Sequence, residues 1–167
     1  SGLGVATQTF VGQNYGARNY ERITKSVKKI FIADIVVSVI MSLTLYLIGL
    51  PTVSLFMTEP NAAIMAAAKQ YIIATAECYS LVAILFVLRN TLQGLGFTYS
   101  NMIAGAGEFF GRLAVAFIFT KIIGFNAVCY AAPAAWLLAD IPLAIIYLSK
   151  HKKFKALAAE QKAKNNI

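Results

Sequence analysis

Charged side chains are scarce in this sequence. Only 13% of the 167 residues are Asp, Glu, Lys or Arg, and seven of them are acidic, whereas 59% are hydrophobic and the mean hydropathy is +0.67. An ordinary soluble domain is about 25% charged and about 45–50% apolar. The shortage of charge excludes a water-soluble globular domain. It predicts an integral membrane protein, with an all-α fold that forms a polytopic helical bundle.

Residues for metal binding and covalent catalysis are also nearly absent. There is one histidine, His151, and there are two cysteines, Cys78 and Cys129, both within apolar stretches. This set cannot supply a zinc site or a cysteine–histidine pair, and we expect the cysteines to be buried free thiols rather than a disulfide. We therefore expect no metal, no cofactor and no enzyme activity.

Four apolar segments are long enough to cross a membrane, which needs roughly 20 residues. Because backbone groups in lipid must bond within their own segment, these segments are predicted to be helices. We expect Gly49 and Pro51 to end the first, and Thr58 or Asn61 to cap the second after a turn at 58–61. The predicted spans are about 30–50, 62–88, 102–123 and 126–149.

The chain begins with a shorter apolar run, Ser1 to Gly12, followed by a turn at Gln13–Gly16. This run is too short to span a bilayer alone. One interpretation is the end of a fifth span in a fragment of a longer protein, which the missing initiator methionine favours. The other is a short interfacial helix in an intact small protein.

Basic residues concentrate on one side of the predicted spans. With four spans, twelve basic residues fall on the side that carries the C-terminus and two, Lys69 and Lys121, on the other. Positive residues mark the cytoplasmic side, so the C-terminus is predicted to be cytoplasmic, in the plasma or inner membrane. This asymmetry accounts for the net charge of +8 without nucleic acid, and it predicts that the basic tail, residues 150–167, is a solvated helix end near the lipid bilayer. The twelve are Arg18, Arg22, Lys25, Lys28, Lys29, Arg89, Lys150, Lys152, Lys153, Lys155, Lys162 and Lys164.

Four stretches in order resemble one transporter family. They are GLGVATQTFVGQNYGARNYERI, FMTEPNAAIMAAAKQYI, LRNTLQGLGFTYSNM and GEFFGRLAVAF. Together they are similar to the C-terminal lobe of the multidrug and toxic compound extrusion (MATE) transporters, from the second half of helix 8 through helix 12. That family has twelve helices in two six-helix lobes.

The resemblance implies a cation-coupled antiporter that exports organic, often cationic, drug-like compounds by alternating access. The coupling ion would be H⁺ or Na⁺, and the partner would be the missing N-terminal lobe. Some exporters of the family carry an acid in the tenth helix where this chain has Val82. The resemblance therefore suggests that any coupling acid lies in the other lobe.

Polar residues within the spans are the candidates for mechanism, because an ionisable group in lipid is costly. Glu108 and Arg112 are four residues apart on one helix face, and we predict a structural ion pair, with a transport switch as the alternative. Asp34 is expected to meet Lys29 or Arg89. Candidates for the substrate or cation pathway are Glu77, Asn90, Gln93 and Asp140.

Small and aromatic residues complete the pattern. Gly107 and Gly111 form a G-x-x-x-G, and alanines recur at every fourth position of the last span, which predicts close helix contacts within the lobe rather than a dimer interface. We expect Pro133 and Trp136 to interrupt that span.

Two alternatives to the exporter remain open: a lipid-linked glycan flippase of the same superfamily and a non-transporting oligomeric scaffold. The aromatic candidates for lining a drug cavity are Tyr71, Tyr79, Phe86, Phe109 and Phe110.

Overall fold

The computed structural model describes residues 2–57 and 61–165, and every secondary-structure element in these ranges is helical. This confirms the predicted all-α fold. A π-helical segment, Val115–Phe119, joins the fifth helix to the sixth. The α-helices are α1 (Gly2–Gly16), α2 (Tyr20–Leu55), α3 (Ala62–Glu77), α4 (Tyr79–Gly94), α5 (Tyr99–Ala114), α6 (Thr120–Ile123), α7 (Phe125–Cys129) and α8 (Ala131–Asn165).

Three described segments are long and apolar enough to cross a membrane: Tyr20–Leu55, Tyr99–Ile123 and Ala131–Glu160. The pair α3 and α4 makes a fourth if it counts as one span, although it is bent by 45° at its junction. The predicted spans 30–50, 62–88 and 102–123 fall within these elements, whereas the fourth, 126–149, begins in the separate short helix α7, before Ala131. Their limits relative to a bilayer stay predictions.

Helix α2 does not end where the sequence predicts. It continues through Gly49 and Pro51 to Leu55. Pro51 removes only one backbone donor, and the Thr52 hydroxyl reinforces this turn by donating to the Ile48 carbonyl at 2.8 Å. Gly49 does not end the helix but allows α3 to pack closely against it, since a Cβ at this position would lie only 3.0 Å from Ile72 Cδ1.

The start of α3 is capped by Asn61, one of the two predicted caps. Its side-chain oxygen accepts the N–H groups of Ala63 at 2.9 Å and Ile64 at 3.3 Å. The other candidate, Thr58, and most of the predicted turn lie in residues 58–60, outside the described residues. At the far end of α3 the helix breaks at Cys78, where the Ser42 hydroxyl donates to the Ala76 carbonyl at 2.6 Å.

The break at Cys78 divides the predicted second span into α3 and α4. Helix α4 runs to Gly94 rather than ending near Leu88, so Arg89 belongs to a helix and not to a cytoplasmic loop. The turn that follows uses Gly96 at φ +86°, a conformation that suits glycine.

The last span is broken at Tyr130, between α7 and α8, and not at Pro133 or Trp136 as predicted. Pro133 lies in the first turn of α8, where a missing N–H has no intrahelical partner to lose. Pro142 lies within the continuous helix.

Both cysteines are free thiols, with Cys129 buried and Cys78 half-buried.

Two hydrophobic clusters hold the helices together. One joins α4, α5 and α8 around Leu88, Leu92, Ala104 and Leu143. The second lies where α1 and α2 meet the far part of α8, around Val11 and other buried residues, which are Ile23, Val27, Leu95 and Phe154.

The tail was predicted to be solvated, and Lys152, Lys153 and Lys155 are exposed, but one side of its first turns is packed through Phe154. Helix α8 continues into it, and the Phe154 ring is buried, stacked on Tyr20 at 5.7 Å between centroids and edge-on to Tyr15 at 5.8 Å. An aromatic side chain in a basic segment thus attaches the tail to the α1–α2 turn.

The predicted contact of small residues is made within the chain. A Cβ built on Gly107 would lie 3.0 Å from the Ala139 Cα, and one on Gly111 would lie 2.8 Å from the Ala135 Cα. The separation at Gly107 is tighter than nine in ten real Cβ contacts, and the one at Gly111 is shorter than real Cβ atoms show. Helices α5 and α8 therefore touch backbone to backbone, as small residues allow in membranes.

We expect Gly111→Ala to destabilise the α5–α8 contact by about 1–3 kcal/mol, because the added methyl group must push the helices apart. Gly105→Ala is the matched control, since a Cβ there meets nothing within 4 Å. Unfolding of the purified chain in mixed micelles with increasing SDS would measure both changes. Equal stability of the two variants would contradict the close contact.

Candidate functional site

Glu108 is the centre of a charge cluster between helices. Its Oε1 accepts from the Arg89 guanidinium of α4 at 2.5 Å, and its Oε2 lies 3.5 Å from the Arg112 guanidinium of α5. The Arg112 side chain is 57% exposed, whereas those of Arg89 and Glu108 are 24% and 22% exposed. Glu108 and Arg112, the pair predicted from the sequence, do approach each other. The contact of Glu108 with Arg89 is shorter and better shielded from solvent.

Asp140 of α8 lies in the same cluster. It is 6% exposed, and neither carboxylate oxygen has a hydrogen-bond partner in the described part of the chain. It lies within electrostatic range of both Arg89 and Glu108, and the Nε of Arg89 is also buried without a partner. We call Arg89, Glu108, Arg112 and Asp140 the charge cluster.

The composition of the charge cluster explains how it can exist in an apolar bundle. It holds two positive and two negative side chains, so its formal charge cancels, which reduces the cost of burial. Three different helices supply these side chains, and the close α5–α8 contact brings Glu108 and Asp140 together. The unpartnered carboxylate of Asp140 makes the arrangement incomplete, because buried polar groups normally have partners.

The other predicted pathway residues lie apart from these contacts. Glu77 is exposed at the end of α3, beside the Tyr130 hydroxyl. The Asn90 side-chain amide donates to the Phe86 carbonyl of its own helix at 2.7 Å and packs against Gly4. Gln93 is half-buried in the last turn of α4, where its backbone carbonyl accepts the Gly96 N–H at 2.9 Å. A pathway role for these three stays a prediction.

A cavity of about 330 Å³ opens between α1, α2 and α4. The expected pairing of Asp34 with Lys29 or Arg89 is wrong, because Asp34 lines this cavity and Arg89 is bound to Glu108. Tyr79 and Phe86, two of the aromatic candidates, line it as well, as does Val82. Phe109 lines a separate surface cavity beside Arg112, and Tyr71 and Phe110 are exposed.

No metal centre can be built from the part of the chain that the structure describes. Within residues 2–57 and 61–165, no three His, Cys, Asp or Glu side chains group together as metal ligands. The chemistry available is that of the charge cluster, single carboxylates and aromatic rings within apolar helices. Ionisable side chains within membrane helices commonly mark the ion or substrate pathways of transporters.

Comparison with known families agrees with this class. The family model described as MatE matches residues 1–118, which is more than half of the chain. The chain belongs to the MATE family of transporters and is a membrane protein. No curated protein and no solved structure gives a significant match.

Proposed function

We propose that this chain forms one lobe of a cation-coupled multidrug antiporter that exports organic, often cationic, compounds. The observation that carries the proposal is Asp140, a buried carboxylate without a hydrogen-bond partner beside the Arg89–Glu108 ion pair. An ionised carboxylate in this position needs a proton, a cation or a guanidinium to offset its desolvation. H⁺ or Na⁺ entering the membrane would meet that need.

The mechanism that follows uses Arg89 as the shared partner of two acids. When Asp140 is free of H⁺ or Na⁺, its charge competes with Glu108 for Arg89. When Asp140 is occupied, Arg89 is held by Glu108 alone. Because these residues lie on α4, α5 and α8, the exchange changes how three helices are held together. A ligand that favours one arrangement shifts the population of the lobe between its two states.

The second lobe is part of the proposal. In the family that this chain resembles, the motif containing V-G-Q-N-x-G-A-x-N occurs in each of two lobes, and the substrate cavity lies between them. The partners proposed are therefore an N-terminal lobe, drug-like organic compounds and the lipid bilayer. No resident cofactor is proposed, because the transported H⁺ or Na⁺ supplies the driving force.

We propose the exporter rather than either alternative. A lipid-linked glycan flippase would use a cavity with several free cationic side chains, but Arg89 is bound to Glu108. An oligomeric scaffold would use its Gly and Ala stripes on an outer surface, but Gly107 and Gly111 contact alanines of the same chain.

Resistance of a drug-sensitive bacterial strain to ethidium tests the proposal. We expect no resistance from this chain alone and clear resistance when it is expressed with its N-terminal lobe. Ethidium retained equally by cells with and without the two-lobe protein would contradict the proposal. Resistance conferred by this chain alone would contradict the need for a second lobe.

We propose that the C-terminus faces the cytoplasm of a cell whose plasma or inner membrane holds the protein. A cysteine at exposed Ala159 of α8 should resist a membrane-impermeant maleimide in intact cells, and a cysteine at exposed Ala62, at the start of α3, should react. Both are made with Cys78 and Cys129 replaced. Labelling at position 159 without labelling at 62 would reverse the proposed orientation.

A further inference from the structure

A groove rich in basic side chains lies on the first two turns of α2, separate from the charge cluster. Its volume is about 360 Å³. Three of its side chains, Arg22, Lys25 and Lys29, are exposed cations, and their spacing puts them on one face of the helix. We call this the basic groove. Its lining consists of Asn19, Glu21, Arg22, Lys25, Ser26 and Lys29.

The positive charge of the basic groove is only partly neutralised. Lys25 pairs with Glu21 at 2.7 Å, whereas Arg22 and Lys29 form no ion pair within residues 2–57 and 61–165. Three cationic side chains and one carboxylate leave the groove with a formal charge of +2. Such a surface attracts an anionic group.

The same face of α2 continues beyond Lys29 as exposed apolar surface. Apolar side chains recur there at intervals of three or four residues, which keeps them in line with the basic groove. Each is between 53% and 56% exposed, although it belongs to a long apolar helix. We call this the apolar stripe, and its members are Ile32, Val36, Ile40 and Leu43. The buried residues of α2 lie on the opposite side of the helix and are Ile23, Val27 and Ser38.

The start of α2 is fixed against the rest of the bundle. The Asn19 side chain accepts the backbone N–H of Arg22 at 3.4 Å, and the Arg22 guanidinium lies 5.3 Å from the centre of the Phe10 ring. On the buried side of the helix, Phe154 of the tail joins one hydrophobic cluster with Ile23. The basic groove therefore belongs to a helix turn that is capped and packed rather than to a loose linker.

The length of α2 sets the groove and the stripe at different depths in a bilayer. The helix has 36 residues, whereas about 20 cross the hydrocarbon core. With the predicted span beginning at residue 30, the basic groove lies at the headgroups and the apolar stripe lies in the hydrocarbon. The proposed orientation turns the groove toward the cytoplasmic leaflet, which is the leaflet that carries anionic lipids.

The combination of groove and stripe selects among the possible occupants. A second copy of this chain, docked symmetrically through this face, would bring two grooves of the same positive charge together. A free phosphate ion would fill the groove but leave the stripe uncovered. A phospholipid with net negative charge matches both parts, because its phosphate and its acyl chains lie at these two depths.

We propose that this face of α2 binds an anionic phospholipid, with its phosphate in the basic groove and an acyl chain along the apolar stripe. The Arg22 guanidinium and the Lys29 ammonium group donate charge-assisted hydrogen bonds to the phosphate oxygens. The inference goes beyond the proposed function and does not rest on it, because it involves neither the exported compound nor the coupling ion.

Quenching of a tryptophan placed on the apolar stripe tests the inference. Val36→Trp is made together with Trp136→Phe, which removes the single tryptophan of the chain. The purified protein is placed in phosphatidylcholine bilayers that contain a minor share of phosphatidylglycerol with brominated acyl chains, since bromine quenches tryptophan on contact. We expect quenching at least twofold stronger than with the same share of brominated phosphatidylcholine.

Paired charge variants separate a site from general attraction to an anionic surface. Arg22→Gln with Lys29→Gln should reduce the quenching by phosphatidylglycerol to that by phosphatidylcholine. Lys152→Gln with Lys153→Gln, which removes the same charge from exposed positions of the tail, should leave the difference intact. About 1 M NaCl should weaken the preference without any charge variant, because it shortens the Debye length to about 3 Å. Excess inorganic phosphate should leave the preference in place.

Several results would overturn the inference. Equal quenching by the two brominated lipids, or an unchanged preference after Arg22→Gln with Lys29→Gln, would show that the groove selects no lipid. An equal loss in the tail variant would show general attraction, and loss with inorganic phosphate would show a site for the free ion. Absence of quenching by either lipid in the two-lobe protein would show that protein covers the stripe. Size-exclusion profiles establish folding, and the salt measurement decides if the groove variant does not fold.

Discussion

Replacing Glu108 with glutamine should sharply reduce the amount of folded protein in the membrane. Glu108 contacts both Arg89 and Arg112, and its loss leaves the shielded Arg89 guanidinium without a formal negative partner except Asp140. Removing one member of a buried ion pair costs about 3–5 kcal/mol. Fluorescence size-exclusion chromatography of the wild type and the variant, solubilised from equal numbers of cells, measures the folded fraction.

The two arginines provide a matched comparison. Arg89→Gln should lower the folded amount nearly as much as Glu108→Gln, and the double variant should recover part of the loss because neither charge is left alone. Arg112→Gln should have a small effect, about 0–1 kcal/mol, because that side chain is largely exposed and lies farther from Glu108. A larger loss of folded protein in Arg112→Gln than in Arg89→Gln would show that Glu108–Arg112, the pair predicted from the sequence, is the main contact.

Asp140→Asn should abolish uphill efflux by the two-lobe protein while the protein still folds. The substitution removes a buried charge that has no hydrogen-bond partner, so we expect a normal or greater folded amount. It also removes the group proposed to take up H⁺ or Na⁺, and ethidium efflux from energised cells should fall at least tenfold. Downhill exchange of ethidium across proteoliposomes should persist, because it needs no coupling ion.

A control for this variant is Glu160→Gln, which changes an exposed acid of the tail and should leave efflux unchanged. Wild-type efflux in Asp140→Asn would remove Asp140 from the coupling mechanism. Loss of folded protein in Asp140→Asn would show a structural role for this carboxylate instead. Asp140→Glu separates these outcomes, since it keeps the ionisable group and should recover part of the efflux if coupling is its role.

The sequence predicted the helical bundle well because composition and long apolar runs decide it. The G-x-x-x-G of α5 and the alanines of the last span also pointed to the correct contact, since both are periodic signals on a helix. Helix ends were harder. Proline and glycine usually stop helices, but α2 continues past Gly49 and Pro51, where the Thr52 hydroxyl reinforces the turn and Gly49 gives room to Ile72.

The charge cluster and the cavity were only partly predictable, because they depend on contacts between helices. Glu108 and Arg112 share one helix, so their spacing showed that they could meet. Arg89 was placed in a loop, because no signal at Cys78 indicated that the helix breaks there and then continues to Gly94. Asp34 was paired with Lys29 or Arg89, the basic residues expected near the same end of its span, but its actual surroundings are set by α1 and α4.

Ion movement driven by substrate is the most direct test of a cation-coupled antiporter. In proteoliposomes that hold the two-lobe protein, an imposed gradient of tetraphenylphosphonium should drive H⁺ or ²²Na⁺ in the opposite direction, measured with an internal pH dye or by filtration. Asp140→Asn should abolish that ion movement while substrate still equilibrates. Substrate movement by the wild type with neither H⁺ nor Na⁺ moving in exchange, or unchanged ion movement in Asp140→Asn, would contradict the mechanism.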